Sequence, residues 1–76
     1  MEEMKSRVFI WVNDDNFITR LEGEYSLPDD LSDAILIDEG YGDKYSLAQT
    51  HFLEKPLIND EGEYNYQYIN GEVVEV

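Results

Sequence analysis

His51 is the only imidazole in the chain, and no cysteine accompanies it. One histidine without thiolates cannot assemble the usual His- and Cys-rich metal sites. Nucleophilic chemistry is equally short of parts. No Cys–His pair is possible, and no serine lies in a Gly-x-Ser-x-Gly turn. Carboxylates are plentiful, with 18 Asp and Glu. Acid–base catalysis, however, needs two carboxyls in different environments within one cleft, and no spacing here isolates such a pair. The five glycines are scattered, without a phosphate-cradling loop. These residues predict a protein that is not an enzyme, with no catalytic residues, no metal and no cofactor. His51 reads as a partly exposed helix residue.

Two oxygen-rich segments raise the question of calcium: Asn13-Asp14-Asp15-Asn16 and Asn59-Asp60-Glu61-Gly62-Glu63. A calcium loop of the helix–loop–helix kind needs alternating ligands over about 12 residues, closed by a bidentate Glu. Neither segment has that spacing. Both read as turns, because Asn and Asp bond their own backbone and tolerate tight-turn dihedrals.

Aromatic side chains remain as candidate binding residues. Tyr64, Tyr66 and Tyr68 alternate along one strand and share a face, which could form a platform for a sugar or a protein. The same face can instead pack beneath a helix as core, and a chain with so few apolar residues favours that use. Trp11 poses the same choice between contact surface and burial.

Charge constrains the partners. Eighteen acidic residues against five basic ones give a net charge of −13. That field repels nucleic acid and anionic membranes and attracts basic proteins. It is either a solvated surface or an imitation of the phosphate backbone of DNA. The opening Met1-Glu2-Glu3-Met4 is acidic where a signal peptide is basic. The longest apolar runs, Val8 to Val12 and Ala34 to Ile37, fall far short of the roughly 20 residues that span a bilayer. The expectation is a soluble protein without membrane or nucleic-acid partners, cytoplasmic when made.

The elements that must carry these residues are short. Seventy-six residues make one domain, residues 1–76, which buries only about 60% of its unfolded surface. Without disulfides, the apolar core or a partner must hold it. Arg7 to Val12 reads as a strand, Asn13 to Asn16 as a four-residue turn, and Phe17 to Leu21 as the returning strand. Pairing Val12 with Phe17, Ile10 with Thr19 and Val8 with Leu21 gives the core face. Phe9, Trp11 and Ile18 fall on the other. Glu22 to Asp33 reads as a loop pinned by Leu27 and Leu31, and Ala34 to Ile37 as a short buried strand. Lys44 to Leu53 is the only candidate helix, capped by Asp43 and ended by Pro56. Tyr45, Ala48, Phe52 and Leu47 form its apolar stripe. From Leu57 onward the pattern predicts a three-stranded meander. Asn70-Gly71 forms its last turn, with Ile69 opposite Glu72, Tyr68 opposite Val73 and Tyr66 opposite Glu75. The fold class expected is mainly β (α+β): antiparallel hairpins of five or six strands with one short helix against them.

Two of these segments resemble known proteins. The run Phe9-Ile10-Trp11-Val12-Asn13-Asp14-Asp15-Asn16-Phe17-Ile18 resembles the opening of small proteins encoded near tail-fibre genes in phages and prophages of Gram-positive bacteria. The run Tyr66-Gln67-Tyr68-Ile69-Asn70-Gly71-Glu72-Val73-Val74-Glu75 resembles their close. Together they cover about a quarter of the chain. The resemblance implies a non-catalytic structural or accessory role through contact with another protein, such as a phage structural protein, and association with the virion. An acidic DNA mimic that inhibits a DNA-binding protein is the second expectation. A small carbohydrate-binding module on the tyrosine strand, Tyr64, Tyr66 and Tyr68, is the third.

Overall fold

β1 (Ser6–Val12) is the central strand of the larger sheet, with β2 (Ile18–Gly23) on one side and β3 (Ile35–Gly40) on the other. All pairings in this sheet are antiparallel. A second antiparallel sheet holds β4 (Tyr66–Ile69) and β5 (Glu72–Glu75). Between the sheets in sequence lie two single helical turns, α1 (Asp43–Ser46) and α2 (Ala48–His51). A 3-10 turn at Glu24–Ser26 follows β2. The chain is thus a mainly-β α+β fold of two small sheets. This computed structural model describes residues 5–76, and the acidic opening Met1 to Met4 lies outside the described residues.

The first hairpin forms where expected, in a different register. Val12 pairs with Ile18 rather than Phe17, and beyond a bulge Trp11 pairs with Arg20, Ile10 with Leu21 and Val8 with Gly23. Thr19 is the extra residue, and its hydroxyl donates to the Trp11 carbonyl at 3.2 Å. A bulge turns the chain by one residue relative to its partner. It therefore brings Ile18 and Leu21, three apart, onto the same core. Val8, Ile10 and Ile18 have no solvent exposure. Burying side chains of this size stabilises the fold by about 1.5–3 kcal/mol each.

β3 runs further than its apolar stretch. Ser6, Arg7 and Val8 pair with Gly40, Glu39 and Asp38, and a second bulge precedes the pairing of Phe9 with Leu36. The segment after Ile37 is therefore edge strand rather than loop. Charged residues are tolerated there, because one side of an edge faces water.

The helical segment is present, but not as one helix. It breaks at Leu47, whose φ of −111° and ψ of 39° are not helical, and Gly42 rather than Asp43 occupies the position before the first turn. Ala48 is buried, and Tyr45 and Phe52 pack against the core as their spacing predicts. Leu47 turns outward and is 48% exposed. Backbone packs directly on backbone at this point. A Cβ on Gly23 would stand 2.7 Å from the Tyr45 carbonyl oxygen and 3.1 Å from the Ala48 methyl.

The C-terminal hairpin has the expected register throughout, with Ile69 opposite Glu72, Tyr68 opposite Val73 and Tyr66 opposite Glu75. Asn70 and Gly71 have φ of 52° and 81°, the positive values that a type I′ turn requires. The first strand of the expected meander is reduced to one bridge, Ile58 to Tyr64.

Two substitutions test this packing. Ile10→Val should cost about 0.5–1.5 kcal/mol in urea unfolding, as one buried methyl is removed. Gly23→Ala should cost about 1–3 kcal/mol, because the new methyl pushes the helical segment off β2. A Gly23→Ala chain as stable as the wild type would contradict the close approach.

Candidate functional site

Every basic side chain of the protein is engaged within it. Arg7 grips Glu24 with a two-pronged contact, Nε to Oε1 and Nη2 to Oε2, both at 2.8 Å, and its backbone N–H donates to the same carboxylate. Its guanidinium also lies 5.3 Å from the Phe9 ring centre. Arg20 approaches Glu22 at 3.5 Å and covers the Trp11 ring at 4.9 Å. Lys44 sits over Tyr45 and Phe52 at 5.6 and 5.1 Å, within cation–π range. Lys5 pairs with Glu39, and Lys55 with Glu75. The five cations therefore neutralise or cover neighbours, and the other carboxylates define the field that a partner meets.

The two oxygen-rich segments are one motif used twice. In each, the first Asn accepts two backbone N–H bonds through its Oδ1, from residues two and four further on. Asn13 takes them from Asp15 and Phe17, and Asn59 from Glu61 and Glu63, all at 2.9–3.0 Å. In each, the Asn N–H donates to the carbonyl four residues on, and its own carbonyl accepts from the residue three on. That third residue has positive φ in both, 65° at Asn16 and 83° at Gly62. The Asn oxygens that a cation would need are thus turned inward to hold the loop. Among the described residues, no group of three or more His, Asp or Glu is placed to hold a metal.

The first of these turns also fastens the second sheet. Tyr68 N–H donates to the Asn16 carbonyl at 2.8 Å, and the Gln67 side chain donates to the Asp15 carbonyl at 3.1 Å. Phe17 bridges Gln67 through the backbone and stacks on Tyr64, with ring centres 5.3 Å apart and planes 15° from parallel.

This arrangement decides the fate of the aromatic candidates. Tyr66 is 6% exposed and lies in the core, and its hydroxyl accepts from the Lys55 N–H at 3.1 Å. Tyr68 is half-buried against the same core. Tyr64 is half-buried and stacked on Phe17. The ladder does not present three free rings, which corrects the sugar platform that its alternation allows. Trp11 is half-buried on the sheet face opposite Val8 and Ile10, beneath Arg20. His51 is exposed on α2, with its Nδ1 2.7 Å from the Thr50 hydroxyl.

Two surface features remain. An open groove of about 450 Å3 runs between β2 and residues 48–57. Arg20, Glu22, Glu54 and Lys55 line it above Leu21 and Ala48. Its deepest charge, Glu22, is 5% exposed and accepts from the Gln49 amide at 2.9 Å. The second feature is the outer face of the β4–β5 hairpin. Pairing of Gln67 with Val74 and Ile69 with Glu72 puts Ile69 and Val74 on the face opposite Tyr66 and Tyr68. Val76 continues that face, as its N–H donates to Asn65. Ile69, Val74 and Val76 are 40%, 39% and 70% exposed.

Fold and surface together define a small mainly-β α+β fold with an acidic exterior and a hairpin face on which Ile69, Val74 and Val76 stand exposed beside Gln67 and Glu72. No protein-family profile, curated protein sequence or solved structure matches the chain. Among the described residues, no helix is long and apolar enough to cross a membrane.

Two solution properties follow. Hydrogen bonds from Arg7 hold the Glu24 carboxyl below its ordinary value of 4.5. A carboxyl depressed by folding adds stability that is complete above its unfolded value and lost as the pH falls through its folded value. The stability difference between wild type and Glu24→Gln should therefore be constant at neutral pH and shrink below about pH 4.5, read from urea midpoints. A difference that stays flat down to acid would show that the pair adds nothing. The net charge of −13 makes self-repulsion the larger electrostatic effect. Raising salt from about 10 mM to 150 mM shortens the screening length from about 30 Å to 8 Å and should raise the melting temperature. A fall would mean that the internal ion pairs outweigh the repulsion.

Proposed function

We propose that the protein is a non-catalytic binding module that works by contact with another protein, as a structural or accessory component of a phage or prophage. The observation that carries the contact reading is the exposed apolar face of Ile69, Val74 and Val76. It stands on an exterior whose cations are all engaged internally. Large apolar side chains sharing an exposed face in so small a domain fit a protein interface. The groove supports the non-catalytic part of the reading. Its buried carboxylate, Glu22, is engaged by Arg20 and Gln49 within the protein. The likeness of Phe9 to Ile18 and Tyr66 to Glu75 to phage-encoded proteins supports the setting. On that reading the chain is soluble and cytoplasmic when made, then joins the virion.

The same engagement of cations favours one second reading, an acidic mimic of DNA that occupies a basic DNA-binding protein. The two differ in how contact responds to salt. An apolar interface survives high salt, whereas one made by many charge contacts weakens steeply.

Immobilised protein is exposed to lysate of a Gram-positive host with an induced prophage, washed at low and then high salt, and the captured proteins identified. The expected result is a tail or baseplate component that survives the high-salt wash and is lost with the double substitution Val74→Ser, Val76→Ser. A nuclease, repressor or polymerase that washes off with salt would move the assignment to DNA mimicry. Turnover of a defined substrate that falls on replacing Glu22 would overturn the non-catalytic reading.

A further inference from the structure

β5 is an open strand edge. It pairs with β4 alone, at one end of its sheet. The other edges are guarded: β2 carries the bulge at Thr19 and the Arg20–Glu22 pair, and β3 carries a bulge, two consecutive carboxylates and the Lys5–Glu39 pair along its length. Bulges and charges of that kind keep an edge from pairing. β5 has no bulge, proline or lysine.

Its hydrogen-bonding pattern identifies the free groups. Ile69 and Glu72 flank the two-residue Asn70-Gly71 turn and so form a bonded pair, and the Val76 N–H to the Asn65 carbonyl keeps the same phase. Bonded and non-bonded pairs alternate along an antiparallel ladder. Gln67–Val74 and Ile69–Glu72 are therefore bonded pairs, and Tyr66–Glu75 and Tyr68–Val73 are not. The Tyr68 N–H agrees, since it points away from β5 to Asn16. Val73 and Glu75 thus turn their backbone N–H and C=O groups outward, along an edge where another strand can add.

We propose that the β5 edge takes up an extended segment of the partner protein as an added strand, with one basic residue facing Glu72, a second taking Glu75 over from Lys55, and apolar ones facing Val73, Val74 and Val76. The proposal rests on the contact reading above and names the chemistry of the partner. An antiparallel segment that meets Val76, Glu75, Val74, Val73 and Glu72 in turn reads apolar–basic–apolar–apolar–basic. Backbone bonds give such a contact affinity, and alternate side chains give it specificity. Charge decides against a second copy of this chain. Each copy carries −13, and every β5 brings two glutamates to the shared edge. Like charges on paired strands are destabilising.

The probe is a capped decapeptide containing Val-Lys-Val-Val-Lys, added to the full chain and followed by amide hydrogen exchange. The Val73 and Glu75 amides should exchange quickly in the free protein and slow by about tenfold or more with the peptide bound. A peptide with Glu in place of Lys should give no protection. Val73→Pro removes one outward N–H and leaves the bonded pairs intact, so it should weaken peptide binding by at least about tenfold. Protection elsewhere, protection without peptide that grows with protein concentration, or a folded Val73→Pro chain that binds the peptide unchanged would each overturn the proposal. The exchange readout on the wild type decides the matter even if the proline variant does not fold. If wild type and Val73→Pro capture the same phage component from lysate, the edge assignment fails while the contact reading stands. If neither captures one, the contact reading fails.

Discussion

The structure depends on β1 being hydrogen-bonded along both edges. A central strand satisfies its backbone on two sides, so its core-facing side chains can leave water completely, as Val8 and Ile10 do. Neither neighbour keeps a regular register beside it. β2 bulges at Thr19 and β3 bulges opposite Val8 and Phe9. A bulge re-aims the side chains that follow it. Ile18 and Leu21 reach the core because of the first, and Ile35 and Ile37 pack against it on either side of an outward Leu36. A domain of this size has few apolar residues to bury, and the β2 bulge recruits one more of them than strict alternation would.

Polar turns join this core to the second sheet. The Asn13 turn closes the first hairpin, and its outward carbonyls at Asp15 and Asn16 receive the Gln67 amide and the Tyr68 N–H. The second sheet is thus hydrogen-bonded to a loop rather than to a strand edge. Phe17 on Tyr64 adds the apolar part of the joint. Charge is handled in the same economical way: Glu22, the one carboxylate taken deep among the described residues, has Arg20 and Gln49 within reach. No buried side-chain oxygen or nitrogen among the described residues lacks a partner, which matters because each would cost about 1–3 kcal/mol.

The parts legible in the sequence were those written in local chemistry. Asn70-Gly71 dictates a type I′ turn, the turn sets the register, and the pairing of the last hairpin follows residue by residue. The strand at Arg7 to Val12 and the apolar spacing of Tyr45, Ala48 and Phe52 were equally direct. The register of the first hairpin was not, because strict alternation from a four-residue turn leaves no place for a bulge. A signal did exist: Ile18 and Leu21 are separated by two polar residues, which a regular strand cannot put on one face. The break at Leu47 was hidden, and so was the approach of its neighbours Tyr45 and Ala48 to Gly23, a contact with no local cue. The aromatic candidates were found by type, but their roles depended on docking. Nothing in Tyr64-Asn65-Tyr66 alone says that one ring stacks on Phe17 and another enters the core. The exposed face of Ile69, Val74 and Val76 follows from the same alternation that buries the tyrosines, read from the other side.

The division of aromatic residues between the two sheets gives the molecule separate optical reporters. Its single tryptophan lies on the outer face of the first sheet beneath a guanidinium, away from the core. Its emission therefore follows how long Arg20 dwells on the ring and how wet that face is, rather than the loosening of the interior. Tyr66 and Tyr68 in the second sheet, Tyr64 stacked on Phe17 and Tyr45 of the helical segment are fixed by packing, so tyrosine dichroism registers the packing of hairpin and helical turns on the core. One solution of unlabelled protein can thus be watched in two bands of the spectrum, one tied to the outer face of the first sheet and the other to the tyrosines packed on the core.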